Sequence, residues 1–286
     1  MSEADGTAPA RADCVADSAG GLTFHIADGA RPAPGGHDDW SGALVLLRRG
    51  AADAPDGEVR LPLGPTADGR LQAALPSTVA LPEGRWDVHV AYGDAEPRRL
   101  APGLNDLRSL VDRRPGPSTS PLSVRIPYAT KHGNLSLRSW RRAPHAEAGE
   151  IRLGDDTMTA RGRLHRVAYP SDWLAEAVVE ARRRGGTALV RTAPLEVDGP
   201  DFSFTLSYPE LARSWDGGAD VWDLWLRPAD GSMAPARLAR ILDDIADKKE
   251  IFTYPPRTVT GPQGEVQARP YYTRGNDLAV RIEASV

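Results

Sequence analysis

The phrase Trp-Asp-apolar-x-apolar stands twice in this chain, as "GRWDVHV" at 84–90 and inside "DVWDLWL" at 220–226. The blocks around it repeat as well. "DDWSGALVLLRRG" (38–50) matches "SDWLAEAVVEARRRG" (171–185), "RLAPGLNDL" (99–107) matches "RLARILDDI" (237–245), and "PYATKHGNLSLR" (127–138) matches "PYYTRGNDLAVR" (270–281). Order and near-constant spacing are independent checks, and together they predict an internal duplication. Each copy is domain-sized, too long for a solenoid unit. With 286 residues, 41% of them hydrophobic and 26% charged, the chain can bury two ordinary cores. The expected organisation is a disordered tail over 1–20, a first domain over 21–143 and a second over 148–286. The boundary falls in "RRAPHAEAG" (141–149), where Pro, Gly and charge replace apolar alternation.

The segments between turns are short and alternate: "GLTFHI", "EVRLPL", "RLQAAL", "SVRIPY" and "NLSLRSW", then "EIRLG", "TARGRLHRV", "FSFTLSY" and "LAVRIEA". This pattern predicts an all-β chain of two tandem antiparallel β-sandwich (Ig-like) domains. Successive strand residues face opposite ways, so Trp86, Val88 and Val90 point into one core, and Trp222, Leu224 and Leu226 into the other. Asp87 and His89 leave on the opposite face. "SDWLAEAVVEARRRGG" has helical spacing when read alone, but its partner "GALVLLRRG" reads as a strand, so a strand is expected in both. "APARLARILDDIADKKE" is expected to be strand and turn, with room for a short helix, because its counterpart carries Pro102-Gly103.

The net charge of −4 argues against a general nucleic-acid binder. Lysine occurs only at Lys131, Lys248 and Lys249; with so much Ala, Gly and Pro, the arginine excess reads as the product of a GC-rich bacterial genome. The single cysteine, Cys14, lies in a polar segment expected to be mobile, so no disulfide framework or cysteine zinc site can be built. The first twenty residues have no apolar core like that of a secretory signal, and no apolar run is long enough to span a membrane. The expectation is a cytoplasmic protein.

No phosphate loop, dinucleotide fingerprint, nucleophile elbow or zincin motif is present, and no cofactor or metal is expected. His37-Asp38-Asp39 and Gly154-Asp155-Asp156 could meet a cation, but adjacent carboxylates in loops are commonly turn formers. His25, His89 and His165 fall in strand patterns and read as sheet residues. The segments "GRWDVHV" and "PYATKHGNLSLR" resemble the β-rich repeats appended to bacterial teichoic-acid-type glycosyltransferases and polyol-phosphate transferases. Those repeats share a Gly-x-Trp-Asp strand and a Tyr-x-Thr-basic-Gly-Asn hairpin. The resemblance covers nearly the whole chain and implies an accessory region engaged in oligomerisation or polymer contact. It carries over no catalytic residue, and the expectation is a free-standing version without the catalytic domain.

The best candidate surface is the hairpin: Tyr128, Thr130, Lys131, His132 and Asn134, echoed by Tyr271, Tyr272, Thr273, Arg274 and Asn276. A ring beside a cation and an amide suits a sugar or phosphate; the plainer reading is a tight turn with a tyrosine closing a sheet corner. Trp225 takes the place of His89 on the outward face, and Trp215 has no counterpart; exposed, they would mark an interface. Two functional classes fit. One is a non-catalytic module that binds a partner protein, itself as a homo-oligomer, or an anionic glycopolymer. The other is a tailoring enzyme with its site between the domains, drawing on His132, His145, Asp223 or Tyr271.

Overall fold

The computed structural model describes residues 9–27, 41–51, 54–111, 113–185 and 189–285. The chain divides into two units. One holds Met1–Arg114, Ser123–Arg141 and Leu242–Ala246; the other holds Pro115–Leu122, Arg142–Ile241 and Asp247–Val286. Residues 115–122 and 242–246 thus group against the simple division expected at 143–148.

The first unit contributes β1 (Arg11–Ala16), β2 (Leu22–Ala27), β3 (Gly42–Arg48), β4 (Glu58–Pro62), β5 (Gly64–Pro65), β6 (Leu71–Leu75), β7 (Gly84–Tyr92), β8 (Arg98–Arg99), β9 (Ala101–Asp106), β10 (Leu122–Ala129) and β11 (Leu135–Arg142). They form one sheet in the order β5-β6-β2-β1-β9 and another in the order β10-β11-β7-β3-β4, with β8 beside β7. β1 and β9 run parallel; the other registers described are antiparallel.

The second unit contributes β12 (His145–Leu153), β13 (Thr157–His165), α1 (Pro170–Leu174), β14 (Val178–Arg183), β15 (Val190–Pro194), β16 (Glu196–Asp198), β17 (Asp201–Ser207), α2 (Tyr208–Ala212), β18 (Ala219–Arg227), β19 (Ala236–Ala239), β20 (Arg257–Gly261), β21 (Gly264–Tyr272) and β22 (Leu278–Ala284). Its strands join in the order β16-β17-β13-β12-β19-β18-β22-β21-β20, with β14 on β18 and β15 on β14. The order β16-β17-β13-β12-β19 follows β5-β6-β2-β1-β9 strand for strand, and β21-β22-β18-β14-β15 follows β10-β11-β7-β3-β4. The parallel pair recurs as β12 with β19.

Period-two burial explains why these segments are strands. In β18, Asp220, Trp222, Leu224 and Leu226 are buried while Val221, Asp223 and Trp225 are partly open. Trp86 and Trp222 are both fully buried. The Trp86 indole Nε1 donates to the Pro82 carbonyl at 3.1 Å. In the second unit Trp222 joins Met158 and Ala160 of β13, Phe202 and Phe204 of β17, Val179 of β14 and Val280 of β22 in one core.

Three expectations are corrected. Arg11–Ala16, expected in a disordered tail, is a strand paired to both β2 and β9, and Cys14 is fully buried rather than mobile. Ala12, Cys14 and Ala16 alternate inward, but they are too small to read as an apolar stripe. "SDWLAEAVVEARRR" splits: Pro170 opens a single helical turn that buries Trp173, and the strand begins only at Val178. Trp215 is buried, with its Nε1 donating to the Gly218 carbonyl at 3.2 Å, so it marks no open patch.

Truncating either core tryptophan removes a large buried ring. Trp86→Ala and Trp222→Ala should each cost about 3–5 kcal/mol in denaturant unfolding; wild-type unfolding in either variant would refute the core assignment. Burial, with the neighbouring Asp13 charge adding to it, pushes the Cys14 thiol up to about 12. A thiol reagent should therefore label Cys14 only at the rate at which this unit opens, and prompt labelling of the native protein would refute the placement of β1.

Candidate functional site

The outward residue of the Trp-Asp strand is held by arginines from neighbouring strands. Asp87 lies opposite Leu47 of β3 and Ser136 of β11. Arg49, just past β3, donates from Nε to Asp87 Oδ1 at 2.7 Å and from Nη2 to Ser136 Oγ at 2.8 Å. Arg99 of β8 lies on the other carboxylate oxygen at 2.5 Å. Burial alone would raise the Asp87 carboxyl, but the hydrogen bonds from Arg49 and Arg99 outweigh it and hold the group below its ordinary value. In the second unit Arg184 grips Asp223 with two bonds, Nε to Oδ2 at 2.7 Å and Nη2 to Oδ1 at 2.6 Å, and Arg237 adds a third at 2.9 Å.

The predicted hairpins are Thr-anchored turns. The Thr130 N–H donates to the Asn134 carbonyl at 2.8 Å, and the Asn134 N–H to Thr130 Oγ1 at 3.1 Å. The same bonds join Thr273 and Asp277, at 2.8 and 3.2 Å. Gly133 and Asn276 occupy the left-handed position, with φ of 73° and 62°. Asn276 thus corresponds to Gly133, and Asp277 to Asn134; matching the two Gly-Asn pairs by letter slips the register by one residue. Asn276 is fully buried and its Oδ1 accepts the Lys248 N–H at 3.1 Å. Tyr272 is also fully buried, edge-on to Phe252 at 5.7 Å, and Thr273 is buried. Tyr272, Thr273 and Asn276 therefore offer no open surface to a ligand. Lys131, His132 and Arg274 are exposed, and Tyr128, Thr130, Asn134 and Tyr271 are half-buried.

In the second unit the outward face gathers rings and cations. Trp225 lies under the guanidiniums of Arg182, at 4.7 Å, and Arg237, at 5.4 Å. Arg237 also bonds Asp223 and reaches Asp277, which Arg142 contacts at 2.9 Å. Tyr271 feels the charges of Arg184, Asp223, Arg281 and Arg237, and burial raises its phenol above the ordinary value. Next to it a cleft of about 250 Å³ is lined by Lys249, Phe252, Thr253, Tyr254, Arg269, Pro270, Tyr271 and Arg281. Of these the sequence pointed only to Tyr271. The available signals were the Lys248-Lys249 pair and the alternation of Arg269 with Tyr271.

The acid–base candidates of the second unit are held by different partners. His145 is fully buried, with Nε2 at 2.7 Å from Glu147 Oε2 and its ring stacked on His165 at 6.2 Å. Burial and the His145 charge lower His165 to about 4. Asp223 is held by Arg184 and Arg237, and His132 belongs to the other unit. Asp155 and Asp156 form the exposed turn between β12 and β13; His37-Asp38-Asp39 lies outside the described residues. Among the described residues no three His, Cys, Asp or Glu side chains are placed to hold a metal ion.

No family model matches the chain, and no curated protein matches it. Among solved structures it is similar to S. aureus TarS, at 12% identity and a TM-score of 0.32, over 68% of this chain and 35% of that one. It is similar also to TarS 217–571, at 12% identity and a TM-score of 0.32, over 69% of this chain and 55% of that one. The chain thus spans about a third of the first, 35%, and about half of the second, 55%.

The Asp87 clamp has a pH signature. Its folded value lies below the unfolded one of about 3.9, so its contribution is complete above that pH and is lost as pH falls through the folded value. Asp87→Asn should lower stability at neutral pH by about 1–3 kcal/mol and flatten the decline below about pH 4. An unchanged acid limb would show that the clamp contributes nothing.

Proposed function

We propose that the chain is a tandem duplication of a β-sandwich (Ig-like) domain, the first beginning at β1, and that it is a non-catalytic binding module accessory to a transferase pathway. Matched strand orders in the two units, with a buried Trp and a clamped Asp at the same place in each, support the duplication. The ligand we assign is an anionic glycopolymer. One observation carries this: the outward face of the second unit concentrates Trp225 and Tyr271 among Arg182, Arg237, Arg269 and Arg281. Rings stack on sugar faces while guanidiniums pair with the charged links. The resemblance of the repeated blocks to transferase accessory repeats points the same way.

Binding of a polyol-phosphate polymer and of a neutral glycan of equal length, measured by calorimetry, tests the reading. The anionic polymer should bind and the neutral one should not, and Trp225→Ala should weaken binding tenfold or more, as loss of an aromatic anchor does. Equal binding by a folded Trp225→Ala variant, or none by the wild type, would refute it. Self-association or capture of a protein partner instead would move the module to another ligand class.

A further inference from the structure

We propose that the cleft beside Tyr271 binds a phosphoester carried on a sugar- or polyol-sized group; this rests on the binding-module reading and names the part of the ligand that is gripped. The first ground is an electrostatic conflict in the sheet. Arg269 and Arg281 stand directly opposite each other on β21 and β22, an arrangement that repels in the absence of a counter-charge. Glu283 supplies one, shared between them: Oε1 is 3.1 Å from Arg269 Nη2, and Oε2 is 2.7 Å from Arg281 Nε. Lys249 brings a third cation, and among the described residues no carboxylate lies within ion-pair distance of its ammonium. Three cations against one carboxylate leave a surplus of positive charge, and both arginine side chains remain 41% exposed.

The fold does not require this surplus. At the corresponding positions of the repeated blocks the first unit has Ile126, Arg138 and Trp140 where the second has Arg269, Arg281 and Glu283. Ile126 is fully buried, and Arg138 lies over the Trp140 ring at 4.8 Å. At these three positions the first unit thus has two apolar side chains and one arginine.

Shape and chemistry choose among anions. Two guanidiniums and an ammonium match the several oxygens and higher charge of a phosphate better than a single carboxylate. Tyr254 and Tyr271 supply ring surface, and the cross-strand neighbour of Tyr271 is Ala279, which adds only a methyl group there. A cleft of about 250 Å³ has room for a sugar phosphate.

Thermal shift and calorimetry at constant ionic strength provide the test, using inorganic phosphate, glucose 1-phosphate, glucuronate and methyl glucoside. Glucose 1-phosphate and phosphate should stabilise the protein saturably, glucuronate less and methyl glucoside not at all. In Lys249→Gln with Arg281→Gln, glucose 1-phosphate affinity should fall at least tenfold while the unliganded melting temperature holds. Arg269→Gln, which relieves the opposed pair, should melt no lower than wild type and also lose the phosphate response, so the test survives if the double variant fails to fold. No saturable response, an undiminished response in the folded variants, or glucuronate binding as tightly as the phosphates would overturn the proposal. Polymer binding that depends on Trp225 without any sugar-phosphate response would overturn the cleft alone. Sugar-phosphate binding without polymer binding would support the cleft and refute the polymer reading. Competition between a polyol-phosphate oligomer and glucose 1-phosphate would show that the cleft takes a unit of the polymer.

Discussion

The clamped aspartate on the back of the Trp strand is the interaction on which each unit depends. A Trp and an Asp adjacent in a strand must face opposite ways. The Trp fills the core; the carboxylate, on the other side, collects guanidiniums from strands that are distant in sequence. Asp87 ties the end of β3 to β7, β8 and β11, and Asp223 ties β14 to β18 and β19. One strand thereby locks the packing on one face and the lateral order of the sheet on the other. The lock works because charge-assisted bonds outweigh the cost of partly burying the carboxylate. It also explains why arginine, and not lysine, occupies these places: Arg184 engages both oxygens of Asp223 at once, which an ammonium cannot do with fixed geometry. Genome composition alone is therefore an incomplete account of the arginine excess.

Much of this was legible in the repeated blocks. The inward set of β7 and β18, the Thr-anchored turns and the short strand at 236–239 follow from alternation, turn residues and the requirement that repeated segments share a backbone. The failures have physical causes. β1 escaped notice because Ala12, Cys14 and Ala16 carry the alternation on side chains of almost no hydrophobic bulk. The helical turn at Pro170–Leu174 was hidden because a proline at its first position starts a helix that the following Val178–Arg183 does not continue. The shared letters Gly-Asn mislead, because the backbone matches Asn276 to Gly133 by φ, Asn being able to replace Gly at a left-handed position. The sequence points to Tyr271 alone of the cleft residues, and nothing in it brings the others to that place. Lys249 and Arg269 lie twenty residues apart, and only the register of β21 on β22 sets Arg269 against Arg281.

The two units also show where a strand of this kind is free to change. The inward positions of β7 and β18 are held to Trp, Val and Leu, and the outward Asp is held by its clamp. The remaining outward positions differ: His89 against Trp225, Ile126 against Arg269, Asn134 against Asp277, Ser136 against Ala279. In the first unit Ile126 and Ser136 are fully buried, and Ser136 serves the Asp87 clamp. In the second, Asp277 draws Arg142 and Arg237 together, Arg237 also lies over Trp225, and the opposed Arg269 and Arg281 share Glu283. Asp277 pairs with two arginines and Glu283 with two others, so these guanidiniums are held in place without asking anything of the core. A sheet whose lateral order is already secured by the Asp clamp can tolerate such repulsion, and a row of pre-positioned cations beside two rings loses little freedom when an anion settles on it. The clamp that both units share thus leaves the outer face free to carry different charges in each.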